Sequence, residues 1–344
     1  MASALTFSRS EGGVGVRLDR HRHEHPQSRI RTPLPLFQSR EDGDVTNMDY
    51  STAFKAIMEQ RYACTRFERS DGIKNSTTAA SFPNVTVVQM ATQILDTSRR
   101  APSGFNAQPY RCIVVSSPDA KEQLSRYCIG HNAHRVRDSD CTVVFLANRE
   151  VFWDLSRIRN MVKDTNPKLF ESKWTLRKYL ALVLLFSQGI PLPKFLAGPI
   201  SFMMRLATSI LAFFTRSKIP LPSLYSAEVW SQKNTMLFVM SYMLGCTANQ
   251  LQTCPMEGYN VAGIRRMLQI PRRYTIPLIV ATGKAYEYQS EFDDDAGVSH
   301  GPAVSDGIKD KRSTSTPRFP LKDVIFGDSY GSPLPQILKD TAAT

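Results

Sequence analysis

The hydrophobic pattern predicts two amphipathic helices at the start of the patterned part of the chain. The first lies in "MDYSTAFKAIMEQRYACTRF" and the second in "VTVVQMATQILDTSRRAPSG", because apolar residues recur there at the spacing of one helical face. We therefore expect the folded part to begin near residue 48. The apolar positions are Phe54, Ile57 and Met58 in the first helix, and Val88, Ala91, Ile94 and Leu95 in the second.

Runs of β-branched and aromatic residues predict three strands further along the chain. They cover residues 111–117, residues 141–147 ("CTVVFLA") and the sequence "TIPLIVATGKA", with a helix at about 119–128 after the first strand. A short helix in "VAGIRRMLQI" is expected to stop at Pro271, which cannot continue it.

A long helix is predicted from Ser226 to Gly245, because serine is typical of a helix N-cap and glycine of a helix C-terminus. Its apolar positions leave little polar surface, which indicates a central buried helix. Those positions are Val229, Met236, Leu237, Met240, Met243 and Leu244.

Residues 177–216 form an apolar stretch with few charges. Its longest uncharged run, residues 179–193, is shorter than the roughly 20 residues that span a bilayer, and prolines interrupt the stretch. Two short helices with a proline-rich break fit better. Their role stays open between core, a lid, and an interfacial hairpin that makes peripheral membrane contact. The basic residues at the edges of such a hairpin are Arg177, Lys178, Arg205, Arg216 and Lys218.

Composition suggests one domain with additions. Residues 1–47 are rich in Arg, His, Ser and Pro, which indicates a disordered or targeting segment. The domain is expected over residues 48–330, with the helical insertion at about 177–225 and a tail at 331–344. Residues 286–316 are acidic and then Ser/Thr-rich, as is typical of a flexible loop.

The charge balance and the cysteines narrow the classes of function. The 43 basic and 31 acidic residues give a net charge of +12, which favours polyanionic partners such as nucleic acid, a membrane surface or a phosphorylated cofactor. No nucleic-acid partner is expected, because the charge is spread along the chain and no nucleic-acid-binding motif accompanies it. Six cysteines without Cys-x-x-Cys pairs indicate reduced core residues. We expect a cytoplasmic or mitochondrial protein that is not secreted.

Three motifs share one chemical property. They are "RYACTRF" at 61–67, "PSGFNAQP" at 102–109 and "CPMEGYN" at 254–260. Each places backbone N–H groups, or cationic and amide side chains, at the end of a helix or strand, where a planar anionic ligand can bind. Together with "PRFPL" at 317–321, the ordered set resembles the nitroreductase family of FMN-dependent oxidoreductases.

The resemblance implies an α+β fold with a central, mostly antiparallel sheet surrounded by helices. It also implies a homodimer with two FMN sites at the interface. In this family pattern Arg61 and Arg318 would bind the FMN phosphate, a use that suits the forked guanidinium group.

The other two motifs would contact the flavin ring. The resemblance places Pro102 and Ser103 along the ring and the amides of Asn106 and Gln108 near its polar edge. The backbone N–H groups of the Glu-Gly pair in "CPMEGYN" would lie near flavin N5. The whole implied cofactor-binding set is Arg61, Tyr62, Ala63, Thr65, Pro102, Ser103, Asn106, Gln108, Pro255, Glu257, Gly258 and Arg318.

Two residues depart from the family pattern. Ala63 stands where serine is common, so a contact there must use the backbone. Thr65 stands where many members carry a Lys or Arg, which would stabilise the negative charge of a reduced flavin. The redox potential of a bound flavin is therefore expected to differ from that of members with the cation.

The function implied by the resemblance is that of an FMN-dependent NAD(P)H oxidoreductase. NADH or NADPH would be the electron donor, and a nitroaromatic, a quinone or a similar electron-poor small molecule the acceptor, in a ping-pong cycle. No catalytic side chain and no metal site is assigned, since the protein would contribute positioning and electrostatics. The alternative is a specialised flavin-binding or flavin-processing protein without general reductase activity.

Overall fold

The structure is a computed structural model that describes residues 49–68, 86–165, 167–170, 172–191, 194–215, 224–286 and 318–332. The predictions for residues 1–47, and nearly all of those for 286–316 and for the tail at 331–344, lie outside these residues.

The described strands form one antiparallel sheet of four strands in the order β1-β2-β4-β3. The two edge strands are therefore β1 and β3. Every residue of β2 is buried, as expected for a central strand covered on both faces. The strands are β1 (Tyr110–Val115), β2 (Cys141–Asn148), β3 (Gln252–Met256) and β4 (Tyr274–Gly283).

Helices cover both faces of this sheet, so the predicted α+β fold with an antiparallel sheet is confirmed. The described α-helices are α1 (Tyr50–Gln60), α2 (Val87–Ser98), α3 (Pro118–Ser125), α4 (Asn132–Asp138), α5 (Leu155–Thr165), α6 (Lys173–Ser187), α7 (Lys194–Phe214), α8 (Ala227–Ala248) and α9 (Val261–Met267).

Strand alternation sends neighbouring side chains into two separate cores. Val143 and Phe145 pack with α2 and α8 on one face. Val144 and Leu146 pack with residues of α3, α4 and α9 on the other. A third cluster joins α5, α6 and α8 beside the start of β1, and it includes Ala107 and Trp230. All six cysteines are free, and four of them are buried, which agrees with the predicted reduced core residues.

Local capping explains where several helices begin. The α2 helix starts with a capping box, in which Thr86 Oγ1 accepts from the Gln89 amide and the Gln89 side chain accepts from the Thr86 amide. Ser117 caps α3 and Pro118 occupies its first turn. The predicted strand 111–117 therefore ends at Val115, and the helix predicted at 119–128 begins at Pro118 and ends at Ser125.

Two predictions about the long helix α8 are wrong. The helix passes Gly245 and ends at Ala248. Gly245 is a packing position, because a Cβ there would lie 2.6 Å from Ile94 Cγ2 on α2. Its buried face carries Trp230, Phe238 and polar side chains, whereas Val229, Met236 and Leu237 are 38–46% exposed. An apolar stripe of α8 thus faces outward.

The apolar segment forms helices α6 and α7 with a break between them, and α7 is longer than predicted. Pro199 lies inside α7 and does not end it. Val183 of α6 is fully buried in the third cluster, so part of this segment belongs to the core. No helix among the described residues has the length and the apolar character needed to cross a membrane.

Candidate flavin site

The loop "PSGFNAQP" has an unusual backbone. Phe105, Asn106 and Gln108 have φ angles of 56°, 51° and 46°, in the left-handed region. Asparagine tolerates this conformation, but a bulky residue such as Phe105 adopts it at a cost and needs support from its surroundings. The φ angle of Gly104 itself is not positive.

Helix α6 provides part of that support. The Tyr179 hydroxyl donates a 3.0 Å hydrogen bond to the carbonyl oxygen of Phe105. The Phe105 ring packs against Tyr179 and Phe186, with ring centroids 6.1 and 5.4 Å apart. Within the loop, the backbone N–H of Gln108 donates to Ser103 Oγ at 3.0 Å. The apolar insertion therefore helps to fix the loop.

Gly104 allows the loop to approach α8 closely. A Cβ at this position would lie 3.1 Å from Trp230 Cζ2. The Gly104 amide donates to Asn234 Oδ1 at 2.7 Å, and Asn234 Nδ2 in turn donates to the Trp230 carbonyl. Beside this contact lies a groove of about 690 Å³, whose walls include Gly104 and the outward stripe of α8 with Val229, Met236 and Leu237.

The loop exit is held by a buried ionic network. Arg111 donates to the Gln108 carbonyl at 3.1 Å and to Asp154 Oδ1 at 3.2 Å. Asn148 Nδ2 donates to Asp154 Oδ2 at 2.7 Å, and Arg157 lies 3.7 Å from the same carboxylate. Asp154 is 7% exposed. This carboxylate therefore ties together the loop, the end of β2 and the start of α5.

The first and third motifs meet along the edge strand β3. Ala63 forms a parallel bridge with Thr253, and the Cys64 amide donates to the Thr253 carbonyl at 2.9 Å. Phe67 is buried and bridges Ala285 beyond the end of β4. Arg61, the C-cap residue of α1, lies two residues before this bridge in the chain.

The Glu-Gly pair follows directly after β3. Glu257 is exposed, whereas the Gly258 carbonyl accepts from the Ile129 amide at 2.9 Å and from Asn132 Nδ2 at 3.2 Å. A Cβ at Gly258 would lie 2.9 Å from Asn132 Nδ2, so the glycine allows this close contact.

The phenol and the thiols around this turn are neutral near pH 7. Burial, followed by the nearby Glu257 carboxylate, raises the pKa of Tyr259, whose phenol donates to the Ile276 carbonyl at 2.8 Å. Burial raises the pKa of the Cys254 thiol, and raises that of Cys128 to about 11. The two thiols are therefore protonated and poorly nucleophilic. The groups that this turn offers to a ligand are therefore mainly backbone N–H donors.

Replacing Gly263 with Ala is expected to destabilise the turn that carries Glu257 and Gly258. A Cβ at Gly263 would overlap the Tyr127 ring, and the Tyr127 carbonyl accepts from the amide of Asn260, which caps α9. We expect a loss of about 1–3 kcal/mol of unfolding free energy, measured by urea denaturation. Gly198→Ala is the control: its Cβ meets nothing within 4 Å, and it should cost no stability. Equal effects of the two changes would contradict the packing argument.

Two predicted residues stand apart from these contacts. Thr65 is exposed, and its neighbour Arg66 stacks on the Tyr286 ring at 4.2 Å. Arg318 is exposed, just before a 3₁₀ turn at Leu321–Asp323. Sequence reasoning missed Trp230, Asn234 and Asp154. For Asn234 the available signal was weak: a polar residue on a helix expected to be largely apolar.

The sheet separates the motifs into two groups. The loop at 102–109 enters β1, whereas the other two motifs flank β3, the opposite edge strand. Three strand spacings correspond to about 14 Å. Both faces of the sheet are covered by packed helices, so a flat ligand cannot lie across it to reach both groups.

Comparison with known proteins gives the class of the molecule. The sequence profile described as the Nitroreductase family matches residues 88–284, more than half of the chain. The chain belongs to the nitroreductase family. This membership supports, in general terms, an FMN-type flavin oxidoreductase. A search of curated proteins found no match.

Solved structures of similar proteins were also found. A Bacillus subtilis protein named as a nitroreductase has 16% identity and a TM-score of 0.46, covering 76% of this chain and 99% of its own. A Staphylococcus epidermidis protein named as an NAD(P)H:FMN oxidoreductase has 17% identity and a TM-score of 0.45, with 72% and 92% covered. An Exiguobacterium sibiricum nitroreductase in complex with FMN has 18% identity and a TM-score of 0.43, with 72% and 93% covered.

Proposed function

We propose that the protein is an FMN-dependent oxidoreductase that takes electrons from NADH or NADPH and delivers them to an electron-poor small molecule, such as a nitroaromatic or a quinone. Family membership supports the flavin chemistry. The observation that carries the proposal is the close approach of the "PSGFN" backbone to α8, beside an apolar groove. When bound, FMN would supply the hydride and electron transfer chemistry.

The residues present fit a flavin. A groove with apolar walls and a few fixed polar groups is typical of cofactor sites. Asn106 and Gln108 offer amide donors and acceptors, and the Gln108 side chain is already oriented by a 3.1 Å hydrogen bond to Asn106 Oδ1. The backbone after β3 offers further N–H donors. A guanidinium at Arg61 suits the terminal phosphate.

We further propose that two copies of the chain complete each flavin site. One copy would contribute the loop at 102–109, and the other the segments that flank β3. The separation of these groups at opposite sheet edges supports this arrangement. Exposed apolar residues offer a surface for the second copy, because large apolar stripes of this kind are typical of subunit interfaces. They are Tyr50, Phe54 and Met58 on α1, and Val229, Met236 and Leu237 on α8.

A complementation experiment tests the shared site. Arg61→Ala and Gly104→Val chains would be purified separately and as a mixed dimer with distinct affinity tags. In a shared site, the mixed dimer contains one site with both defects and one intact site, so it should recover about half of the wild-type FMN content. A mixed dimer that binds FMN as weakly as either parent would place both groups in one chain and overturn the shared site.

Arg61→Ala is expected to weaken FMN binding by about tenfold or more, because a charge-assisted contact to phosphate is lost. Binding of riboflavin, which has no phosphate, should change little. Fluorescence titration with the two ligands measures the difference. The control is Arg126→Ala, an exposed arginine whose guanidinium lies 3.7 Å from the Glu122 carboxylate. Equal losses for FMN and riboflavin would contradict a phosphate role.

Steady-state kinetics tests the proposed reaction. A ping-pong cycle predicts parallel double-reciprocal plots when donor and acceptor concentrations are varied together. Intersecting plots would contradict the ping-pong order.

Deletion of α6 and α7 tests a further proposal, that this insertion selects the acceptor. The contact between Tyr179 and Phe105 supports that proposal, and an unchanged acceptor preference would overturn it.

A specialised flavin-binding or flavin-processing protein is the second candidate. It is favoured by one observation: Thr65 is exposed, and Arg66 stacks on Tyr286. Without a cation near the ring, a negatively charged reduced flavin would be less stabilised. A flavin that dithionite reduces but NADH and NADPH do not would support this second candidate.

A further inference from the structure

Helix α7 turns its apolar side outward. An ordinary surface helix buries its apolar stripe against the core. In α7 the less exposed positions are Ser201, Met204, Thr208, Ala212 and Thr215, spaced three or four residues apart. The apolar residues on the remaining surface are 39–79% exposed. They are Leu196, Ile200, Phe202, Met203, Leu206, Ile210, Leu211, Phe213 and Phe214.

Helix α6 adds an outer stripe that mixes aromatic and basic side chains. Val183 and Ser187 face the core, whereas Trp174, Arg177 and Lys178 are exposed. Lys178 Nζ lies 3.2 Å from the centroid of the Trp174 ring. Leu182 extends the exposed stripe by one further turn. Aromatic and basic residues together are typical of helices that lie in the membrane interface.

The charge of this segment is of one sign. Residues 172–227 contain no Asp or Glu. Over the same range the chain carries basic residues at both ends of the apolar stretch and within it. They are Lys173, Arg177, Lys178, Lys194, Arg205, Arg216 and Lys218. The segment therefore matches a negatively charged surface and repels a second positive one.

We propose that the segment formed by α6 and α7 docks the protein peripherally on an anionic lipid surface. The apolar side chains of α7 would enter the boundary between headgroups and acyl chains, while the basic residues would contact the lipid headgroups. The positive charge of this segment favours anionic lipid over a second copy of the chain as its partner. Packing two copies of this segment together would bring like charges into one interface, whereas anionic lipid neutralises them.

Vesicle sedimentation of the full-length protein tests the proposal. The probes are vesicles of phosphatidylcholine alone, and vesicles in which about a third of the lipid is phosphatidylserine. The wild-type protein should sediment with the anionic vesicles and much less with the neutral ones, and added salt should weaken the binding. Phe213→Ser with Phe214→Ser should reduce the bound fraction about tenfold, since both rings are more than 75% exposed.

A charge-matched pair of variants separates local from global effects. Arg177→Glu with Lys178→Glu should abolish binding to anionic vesicles. Arg266→Glu with Arg272→Glu makes the same change in net charge at exposed residues outside α6 and α7, and should keep most of the binding. Thermal melting and FMN binding of each variant check that it is folded.

Three results would overturn the proposal. The first is wild-type protein that does not sediment with anionic vesicles at low salt. The second is equal binding by the α6 and α7 variants and by the wild type. The third is a change of oligomeric state caused by the Phe213 and Phe214 substitutions, with lipid binding unchanged, because a second copy would then cover this face.

Discussion

Replacing Asp154 with Ala lowers the free energy of unfolding by about 3 kcal/mol, the largest stability effect that we expect from a single polar substitution. The carboxylate is 7% exposed and partners Arg111 and Asn148. Its loss leaves an arginine partly buried without a counter-charge, and removes an acceptor from a buried amide. Urea denaturation measures the change.

Asp96→Ala is the matched control for that prediction. Asp96 also pairs with an arginine, Arg99, but their side chains are 69% and 64% exposed. An exposed ion pair contributes little, so we expect a change below about 0.5 kcal/mol. Because Arg111 also holds the Gln108 carbonyl, Asp154→Ala should weaken FMN binding, whereas Asp96→Ala should not. Similar effects of the two substitutions would contradict the role of the buried network.

Replacing Gly104 with Val weakens FMN binding by about 100-fold, or about 2.7 kcal/mol. The new side chain would collide with the Trp230 ring, since even a Cβ would lie 3.1 Å from Cζ2. The loop must then move away from α8, and the groove beside it changes shape. Fluorescence titration with FMN measures the affinity, and urea denaturation shows whether the variant remains folded.

Substitutions at Asn234 also test the contact between the loop and α8, because its side chain accepts from the Gly104 amide. Asn234→Asp keeps an oxygen acceptor for the Gly104 amide, whereas Asn234→Leu removes it at similar volume. The Asp variant should therefore keep more FMN affinity than the Leu variant. Full FMN affinity in both Asn234→Leu and Gly104→Val would mean that the approach of the loop to α8 does not shape the site.

The local elements could be predicted from the sequence where one periodicity dominates. The face of α2 and the apolar runs of β2 and β4 are of this kind. Strand β3 was missed because its five residues include a proline, which is typical of an edge strand at most. The outward-facing apolar stripe of α8 was also missed, because the pattern of apolar positions does not indicate which side of the helix packs against the sheet.

The site could be predicted only as a set of motifs. The resemblance identified the segments around Arg61, Gly104 and Gly258, but their positions depend on long-range pairing. The bridge between Ala63 and Thr253 joins two motifs that are distant in sequence. The strand order places the remaining motif, the loop at 102–109, at the opposite edge of the sheet. The role of Gly104 could not be predicted, because only the structure reveals the Trp230 ring against it.

The most direct test of the flavin oxidoreductase is an absorbance spectrum of the purified protein after loading with FMN, followed by anaerobic addition of NADH or NADPH. Our account predicts stoichiometric yellow flavin that bleaches on mixing with at least one of the two donors, and recovers when an electron-poor acceptor is added. A protein that stays colourless and cannot be loaded with FMN would contradict it.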